Sequence, residues 1–256
     1  DRLVYFPGSP FARMARVLVR EWQLPIAEVE APFPAPDWLF ELNPLGQVEV
    51  RPLPDGLRPI EPVPSPHPAR RAVIETCCKA LIADEKWLNA LDAKSGDGDT
   101  GSTLATAARA LVAALDRLPL ADATQLYRAI GMELAQTMGG SSGVLLAIFF
   151  AAAGDASAGG KEWIGALSAG LDRVMQVGGA EPGHRTMIDA LAPALAALPQ
   201  GLAAAAKAAR SGADGTAAMT RARAGRASYL SADKLAGFND PGAEGVAVLF
   251  ETLARG

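Results

Sequence analysis

The sequence has no excess of basic residues and no long apolar run. Lysine and arginine number 24 against 28 aspartates and glutamates, which gives a formal net charge of −4. A protein that binds nucleic acid would usually present a basic face. No stretch of about 18 consecutive apolar residues occurs, so we expect no membrane span, and residues 144–153, the most apolar stretch, are predicted to form a buried core helix. These absences argue against nucleic acid and membrane as partners.

Cysteine and histidine are scarce, with two residues of each. The cysteines, Cys77 and Cys78, are adjacent, and neighbouring cysteines rarely satisfy the geometry of a disulfide. Without further cysteines they make no zinc site, so we expect both to be small apolar residues of a helix. Reduced thiols and the absence of a signal-peptide pattern indicate a cytoplasmic protein.

Proline divides the chain into two unlike segments. Fourteen of the 19 prolines precede residue 69, and prolines alternate with other residues just before that point, which favours an extended linker. We therefore expect a first domain over residues 1–62, a linker over 63–68 and a second domain over 69–256. Within the first domain, two predicted strands flank a predicted helix, which is a β-α-β arrangement. These three elements are expected at residues 3–6, 11–22 and 25–30.

The second domain is predicted to be helical throughout, because its apolar residues recur at intervals of three and four. The connections are short, so successive helices should run antiparallel and every second junction should lie at the same end. The prediction is a mainly α fold, an up-and-down antiparallel barrel or bundle of eight helices, preceded by a small α/β segment that need not be complete. The helices are expected near residues 73–91, 104–118, 122–138, 142–153, 160–177, 185–198, 201–223 and 241–255.

The junction between the first two predicted helices is acidic. Asp92, Asp97 and Asp99 lie within eight residues and are interleaved with glycines. Clustered carboxylates repel one another, and a bound cation removes this cost. Hard oxygen ligands favour Mg²⁺ or Ca²⁺ over zinc, and an EF-hand does not fit, because Ala108 stands at its twelfth position. A capped, solvated acidic turn without a metal is the alternative.

Hydroxyl and glycine residues follow this acidic loop and recur at three later junctions. Hydroxyl residues open the next helix, where free N–H groups and the helix dipole favour phosphate. Residues 139–143 (GGSSG) offer the same groups at another helix start, although a plain flexible turn is the alternative. Residues 178–189 and 225–243 supply two further loops. Because alternate junctions share one end, the four loops should cluster, and Mg²⁺ commonly shares its shell with nucleotide phosphates.

These motifs resemble the nucleotide-binding L domain of dihydroxyacetone kinases over residues 70–256. The resemblance implies a closed barrel of eight amphipathic helices with ATP or ADP and two Mg²⁺ ions at one end. Asp92, Asp97 and Asp99 would be the magnesium ligands, and no catalytic residue is implied beyond those that position metal and phosphate. The implied nucleotide contacts are Thr100, Gly101, Ser102, Thr103, Ser141, Ser142, Gly178, Gly179, Thr186, Met187, Arg226, Asp240, Pro241 and Gly242.

By this resemblance the chain is the phosphotransferase domain of an ATP-dependent dihydroxyacetone (glycerone) kinase. The γ-phosphoryl group would pass in line to a hydroxyl of the triose, with Mg²⁺ neutralising the developing charge. In the family, a separate K domain holds the sugar covalently through a histidine. The two histidines of this chain, His67 and His184, lie in no such context. We therefore expect a K-domain partner and no self-contained kinase activity. Met187 would pack against the adenine, and a core methionine is the alternative.

The front of the chain, residues 3–61, resembles the start of a glutathione transferase, a thioredoxin-like domain. Residues 5–13 (YFPGSPFAR) match its first strand, active-site loop and helix, and residues 43–48 (NPLGQV) match the loop before its third strand. Ser9 would be the thiol-activating residue. The glutathione site looks broken, because Glu49 stands where the family has a cis-proline. The final helix of that domain is also missing, so transferase activity is the least favoured function.

A second function competes with the kinase module. The chain could be a non-catalytic interaction or regulatory module in which a bound nucleotide is structural. Magnesium-dependent exchange of nucleotide would favour the kinase module, and ADP that never exchanges would favour the regulatory one. The sequence leaves open the acceptor sugar and whether the chain forms a homodimer.

Overall fold

The computed structural model describes residues 2–5, 27–30, 63–224 and 226–256. The chain forms two compact units, Asp1–Glu61 and Pro62–Gly256. The division falls at the start of the proline-rich stretch.

The described part of the first unit is a pair of short strands. β1 (Arg2–Tyr5) and β2 (Ala27–Glu30) pair in parallel, in register over all four residues of each strand. Parallel strands need a crossover connection of roughly a dozen residues or more, which agrees with the predicted β-α-β order. The predicted helix at residues 11–22 and the glutathione-transferase-like motifs lie outside the described residues.

The described part of the second unit contains nine α-helices. They are α1 (Pro68–Ala83), α2 (Glu85–Asp92), α3 (Thr100–Ala114), α4 (Ala123–Thr137), α5 (Gly140–Ala158), α6 (Trp163–Gly178), α7 (Ile188–Ala197), α8 (Leu202–Gly215) and α9 (Pro241–Arg255).

The first predicted helix is two helices in the structure, so the prediction of one continuous helix was wrong there. Asp84 separates α1 from α2, and its backbone (φ −91°, ψ 8°) lies in the bridge region rather than the helical one. Its N–H bonds to the carbonyl groups of Ala80 and Ile82, which ends α1. The break is a single residue long, so α1 and α2 together occupy the place of one helix in the fold.

The helices form a closed ring. The α1–α2 pair packs on α3, and each later helix then packs against the one before it along the chain. α9 also packs against α1 and α2, which closes the ring after eight positions. The mainly α barrel predicted from the apolar spacing is therefore confirmed, and its closure brings the two ends of the unit together.

Alanine and leucine dominate the two buried clusters of the ring. One cluster joins α5 through α9 and includes Phe149, Ile188 and Phe250; the other joins α3 and α4 and includes Leu115 and Leu126. Small side chains at helix contacts let the axes approach closely. The close packing holds the helix ends, and therefore the loops between them, in fixed positions.

The helix α5 is apolar on all sides. Among the described residues it is the one helix long and apolar enough to cross a membrane, with a mean hydropathy of 1.4, and a core helix gives the same signal. We expected residues 144–153 to be buried, but of these only Phe149 and Ala153 are. That expectation was wrong because α5 is one helix of the ring. Its main neighbours, α4 and α6, cover it on two sides, and most of these residues remain partly exposed.

The residues just before α1 are attached to the ring. The N–H of Ser65 donates to the carbonyl oxygen of Leu118 (3.3 Å), and the N–H of Leu120 donates to that of Ser65 (3.0 Å). His67 caps the first turn of α1 through its imidazole. Residues 63–67 therefore belong to the helical unit in this structure, although the sequence predicted a linker there.

The seventh predicted helix also differs from the structure, because α8 ends at Gly215 instead of continuing to residue 223. The buried hydroxyl of Thr216 donates to the carbonyl oxygen of Ala213 and accepts from the N–H of Asp240 (2.7 Å). These bonds turn the chain back across the helix end. The 216–240 segment that follows contains three short 3₁₀ helices, Thr216–Ala218, Arg226–Tyr229 and Ala232–Lys234.

Candidate metal and nucleotide site

Three carboxylates converge in the acidic loop, residues 92–99, between α2 and α3. One oxygen from each of Asp92, Asp97 and Asp99 lies within 4.8 Å of the others. Asp92 is 7% exposed, and its Oδ2 accepts hydrogen bonds from the N–H groups of Asp99 (3.0 Å) and Thr100 (3.1 Å). Carboxylate oxygens this close suit a hard cation such as Mg²⁺. The residues present therefore fit the predicted magnesium site.

Hydrogen bonds that were not predicted from the sequence connect the start of α3 to α2. Asn89 donates from Nδ2 to the hydroxyl of Ser102 (2.8 Å) and accepts the Ser102 N–H at Oδ1 (2.9 Å). The Ser102 hydroxyl in turn donates to Glu85 (3.3 Å). At Gly101, an added Cβ would clash with the carbonyl oxygen of Glu85, so only glycine allows this approach. The first turn of α3 is thereby held beside the acidic loop.

These contacts bear on the predicted phosphate contacts of α3. Ser102 directs both its hydroxyl and its N–H toward α2, whereas Thr100 and Thr103 are partly exposed. A signal for these hydrogen bonds was present in the sequence, because Glu85 and Asn89 are one helical turn apart and so share a face. The phosphate-binding roles of all these residues stay predictions.

The GGSSG loop, residues 139–143, opens α5. Gly140 has a φ of +72°, a conformation that glycine adopts readily. Gly139 is the N-cap and has no side chain to accept the first N–H groups of the helix, and Ser141 and Ser142 are exposed. Helix N-termini of this kind attract anions through their N–H groups and the helix dipole. The structure places the predicted phosphate-binding serines at the start of this helix.

The 178–189 loop is folded around one carboxylate. Asp189, in the first turn of α7 and 7% exposed, accepts hydrogen bonds from the N–H groups of Gly183 and Thr186 (2.7 Å). The Thr186 hydroxyl accepts the N–H of Ile188 (3.2 Å). Thr186 and Met187, two predicted nucleoside contacts, are therefore held at the start of α7 in a partly buried position.

Asp240, the last residue of the 216–240 segment, caps α9. Asp240 accepts the N–H of Ala243 at Oδ1 (2.9 Å), and Pro241 occupies the first helical turn. Burial raises the pKa of Asp240 to about 6, although the capping N–H groups and the nearby Arg185 act in the opposite direction. The side chain of Arg226, another predicted nucleotide contact, and Gly225 lie outside the described residues.

Direct contacts join three of the four loops, and the fourth, the GGSSG loop, opens a helix that one of the three approaches. A Cβ added at Gly178 would lie 3.3 Å from Leu145 of α5, which places the 178–189 loop beside the helix that follows the GGSSG loop. A Cβ at Gly242 would lie 3.3 Å from the Cβ of Met187. The Nζ of Lys94 lies 5.4 Å from the centre of the Phe238 ring, which joins the acidic loop to the 216–240 segment.

Arg185 is buried at the centre of these contacts. It is 1% exposed and has a φ of +59°, which is unusual for a residue other than glycine. Its Nη2 donates to the carbonyl oxygens of Leu235 and Phe238, both at 3.0 Å, and its Cζ lies 4.8 Å from the Phe238 ring centre. Its Nε and Nη1 are buried without a hydrogen-bond partner among the described residues. Burial lowers the pKa of this guanidinium.

A second arginine, Arg210, holds the start of α9. Arg210 of α8 contacts Glu244 (2.8 Å) and Glu251 (2.7 Å), and Glu244 is 6% exposed. The amide of Asn239 donates to Glu244 (2.9 Å) and to Asp214 (3.0 Å). Asn239 directly precedes Asp240, so this network fixes the backbone of a predicted nucleotide-contacting turn.

The fold and the site together define a class: an all-helical barrel domain with a candidate magnesium site and glycine-rich loops at one end. The DAK2 domain family matches residues 94–255, and the chain belongs to this family. The match includes Asp97, Asp99 and all the loops after them, and it lies outside the first unit. The resemblance of residues 3–61 to a glutathione transferase therefore stays a prediction.

The names of two similar proteins include a kinase activity. The dihydroxyacetone kinase of Citrobacter freundii is 46% identical over 221 residues, which cover 80% of this chain and 40% of that protein. The triokinase/FMN cyclase of Mus musculus is 38% identical over 196 residues, which cover 71% of this chain and 33% of that protein. The chain thus spans two fifths or less of the length of these two relatives.

Solved structures of the C. freundii dihydroxyacetone kinase resemble this chain in fold. The native form gives a TM-score of 0.71 at 41% identity, covering 82% of this chain and 38% of that one. The form in complex with AMP-PNP and Mg²⁺ gives a TM-score of 0.69 at 40% identity, covering 82% and 37%.

Proposed function

We propose that this chain supplies the ATP- and magnesium-binding half of a dihydroxyacetone kinase. The observation that carries the proposal is the cluster of Asp92, Asp97 and Asp99, with ligand oxygens within 4.8 Å of one another, beside the first turn of α3. The solved relative that holds AMP-PNP and Mg²⁺ supports the same assignment. ADP is the expected product, and two magnesium ions are part of the proposal.

In this proposal the loops bind the nucleotide and Mg²⁺ and position the phosphates. The three aspartates would hold Mg²⁺, which when bound neutralises charge on the phosphates. The exposed hydroxyls of Ser141 and Ser142 and the N–H groups of the first turn of α5 would receive phosphate oxygens. The phosphate side would also include Thr100, Gly101, Ser102 and Thr103, and the nucleoside side Gly178, Gly179, Thr186, Met187, Arg226, Asp240, Pro241 and Gly242.

The triose would be held by a separate K domain or subunit. The chain spans only 40% of the C. freundii kinase, and neither His67, which caps α1, nor His184, whose Nδ1 accepts the N–H of Glu181, is placed as a sugar-binding residue. The proposal therefore includes a K-domain partner, and phosphoryl transfer depends on it. A cytoplasmic location is part of the proposal, because Cys77 and Cys78 are free thiols.

Calorimetric titration with ADP and ATP tests the proposal. We expect ADP and ATP to bind in Mg²⁺ and to bind measurably but more weakly in EDTA, and we expect a loss of at least about tenfold in affinity in Mg²⁺ for Asp97→Ala. Asp116→Ala is the matched control, because Asp116 is an exposed aspartate beyond the far end of α3. Equal affinity of Asp97→Ala and wild type would contradict the metal assignment. Triose phosphorylation by this chain alone would contradict the need for a K domain.

A further inference from the structure

The backbone around Phe238 is fixed by hydrogen bonds. The residue before it bonds from its N–H to the carbonyl oxygen of Ala217 (2.9 Å), and the two residues after it are fixed by the Asn239 and Asp240 contacts. The carbonyl oxygen of Phe238 accepts from Arg185. Backbone contacts thus surround Phe238 on both sides, and the ring forms a fixed platform within the 216–240 segment.

Arg185 holds this platform from the nucleoside side of the site. The guanidinium both bonds to the Phe238 carbonyl and lies over its ring. Retaining a buried cation that has a left-handed backbone and two donors without a partner among the described residues costs free energy, so these contacts must offset that cost. Arg185 directly precedes Thr186 and Met187. The platform is therefore connected to the residues proposed to contact the nucleoside.

Lys94 approaches the same ring from the metal side. It lies in the acidic loop, two residues after Asp92, and is otherwise exposed to solvent. Its ammonium group lies 5.4 Å from the ring centre, within the range of a cation–π interaction. Docking of Lys94 on Phe238 would favour one conformation of the acidic loop, and release of Lys94 would allow others.

We propose that the Lys94–Phe238–Arg185 stack couples the metal site to the nucleoside side of the nucleotide site. Lys94 docked and Lys94 released are the two states, and nucleotide and Mg²⁺ both favour the docked one. Such coupling is reciprocal, so each ligand raises the affinity of the other through this element. Phe238 and Lys94 are then positioning residues, and the inference rests on the proposed function.

The experiment measures one ratio by calorimetry: the Kd for ADP in EDTA divided by the Kd in saturating Mg²⁺. Phe238→Leu changes no charge, so direct contact between metal and phosphate contributes as in wild type and a change in the ratio of this variant reports the contribution of the stack. Lys94→Met also removes a charge beside the metal site and is therefore read together with Phe238→Leu. We expect Phe238→Leu and Lys94→Met each to lower the ratio by about three- to fivefold, which is the size of an exposed cation–π contact. A purely structural role would lower the melting temperature and leave the ratio unchanged.

Two controls and a second variant keep the outcomes distinct. Trp163→Leu and Lys161→Met remove an exposed ring and an exposed charge beside the start of α6, at the far end of that helix from Gly178, and should leave the ratio unchanged. If Phe238→Leu does not fold, the exposed Lys94 still provides the test. A ratio within twofold of wild type for Lys94→Met would overturn this inference and leave the proposed function standing. Wild type that binds no nucleotide would overturn the proposed function and the inference with it.

Discussion

At the residue scale, the side chain of Asp92 contacts partners of two kinds. Its Oδ2 accepts the N–H groups of Asp99 and Thr100, as a capping side chain does. The same carboxylate lies beside Asp97 and Asp99 and is proposed to bind the metal. The chemistry of an amide separates these roles, because asparagine can accept the two N–H groups but is a much weaker ligand for a hard cation.

We therefore predict different results for Asp92→Asn and Asp92→Ala. Both should lose Mg²⁺-dependent ADP binding. In the absence of metal, only Asp92→Ala should lose stability, by about 1–2 kcal/mol, because it leaves the N–H groups unpaired. Urea unfolding in EDTA measures the difference. Equal stability of the two variants would show that the capping bonds of Asp92 contribute nothing to the fold.

Asp240 predicts a pH dependence of stability. Burial raises its pKa in the folded protein to about 6, from an ordinary value of 3.8. The folded state therefore binds the proton more tightly than the unfolded one, and the stabilising effect of that proton is complete below about pH 4 and lost as the pH rises to 6. Asp240→Asn, which keeps a capping oxygen, should gain about 1–3 kcal/mol relative to wild type between pH 4 and 7.

Urea unfolding of both proteins at several pH values across this range checks the prediction. The midpoint difference between them is the quantity of interest, because other titrating groups affect the two proteins alike. Arg185 and Asp189 are the charged groups that act on Asp240, in opposite directions, and both are unchanged in the variant. Parallel stability curves would show that Asp240 has an ordinary pKa in the folded state.

At the scale of elements, ion pairs between helices differ in burial and therefore in their expected contribution to stability. Arg210 joins α8 to α9 through Glu244, which is almost fully buried, and Glu244 also holds Asn239. Arg128 joins α4 to α5 through Asp155, and both of these side chains are exposed. Removing one partner of a buried pair leaves a charge without compensation, whereas exposed pairs contribute little.

We predict that Arg210→Met destabilises the protein by about 2–4 kcal/mol and that Arg128→Met, its matched control, has a small effect. Urea unfolding gives both values. Arg210→Met should also increase amide hydrogen exchange at residues 239–242, because the network no longer holds Asn239. Similar losses for the two variants would mean that the buried pair is no more important than the exposed one.

The sequence predicted the helices better than their ends. Leu104, Ala108 and Leu111 share one helix face, and this periodicity suffices to place α3. The break at Asp84 is a change in the backbone conformation of one residue, and the early end of α8 at Thr216 depends on a hydrogen bond from Asp240; periodicity reports neither. Local patterns therefore determine that a helix exists, and tertiary contacts determine where it stops.

The candidate site shows the same division between local and distant information. The acidic and glycine-rich loops were recognisable because the residues predicted to bind metal and phosphate are close together in sequence. Arg185 gave no signal, since a charged residue is rarely fully buried and its partners Leu235 and Phe238 lie about fifty residues away. Asn89 was missed for a related reason, because its bond to Ser102 crosses from one helix to another.

At the scale of the whole molecule, every proposed metal and nucleotide contact lies between residues 92 and 242, within the second unit. We therefore predict that a fragment of residues 62–256 binds Mg²⁺-ADP within about twofold of the full chain, since the ring is closed by α9 on α1 without residues 1–61. Calorimetry on the fragment checks this. A helical fragment that no longer binds would show that the first unit contributes to the site.

A shorter fragment tests where the helical unit begins. Residues 70–256 lack Ser65, which bonds to the turn after α3, and His67, which caps α1. If residues 63–68 only link the two units, the fragments 62–256 and 70–256 should be equally stable. We expect instead that the shorter one loses about 1–2 kcal/mol in urea unfolding, because its hydrogen-bond partners on Leu118 and Leu120 are exposed and α1 is uncapped. Ser65→Pro in the longer fragment, which removes the Ser65 N–H and hydroxyl donors and acceptors but keeps the cap, should reproduce part of that loss.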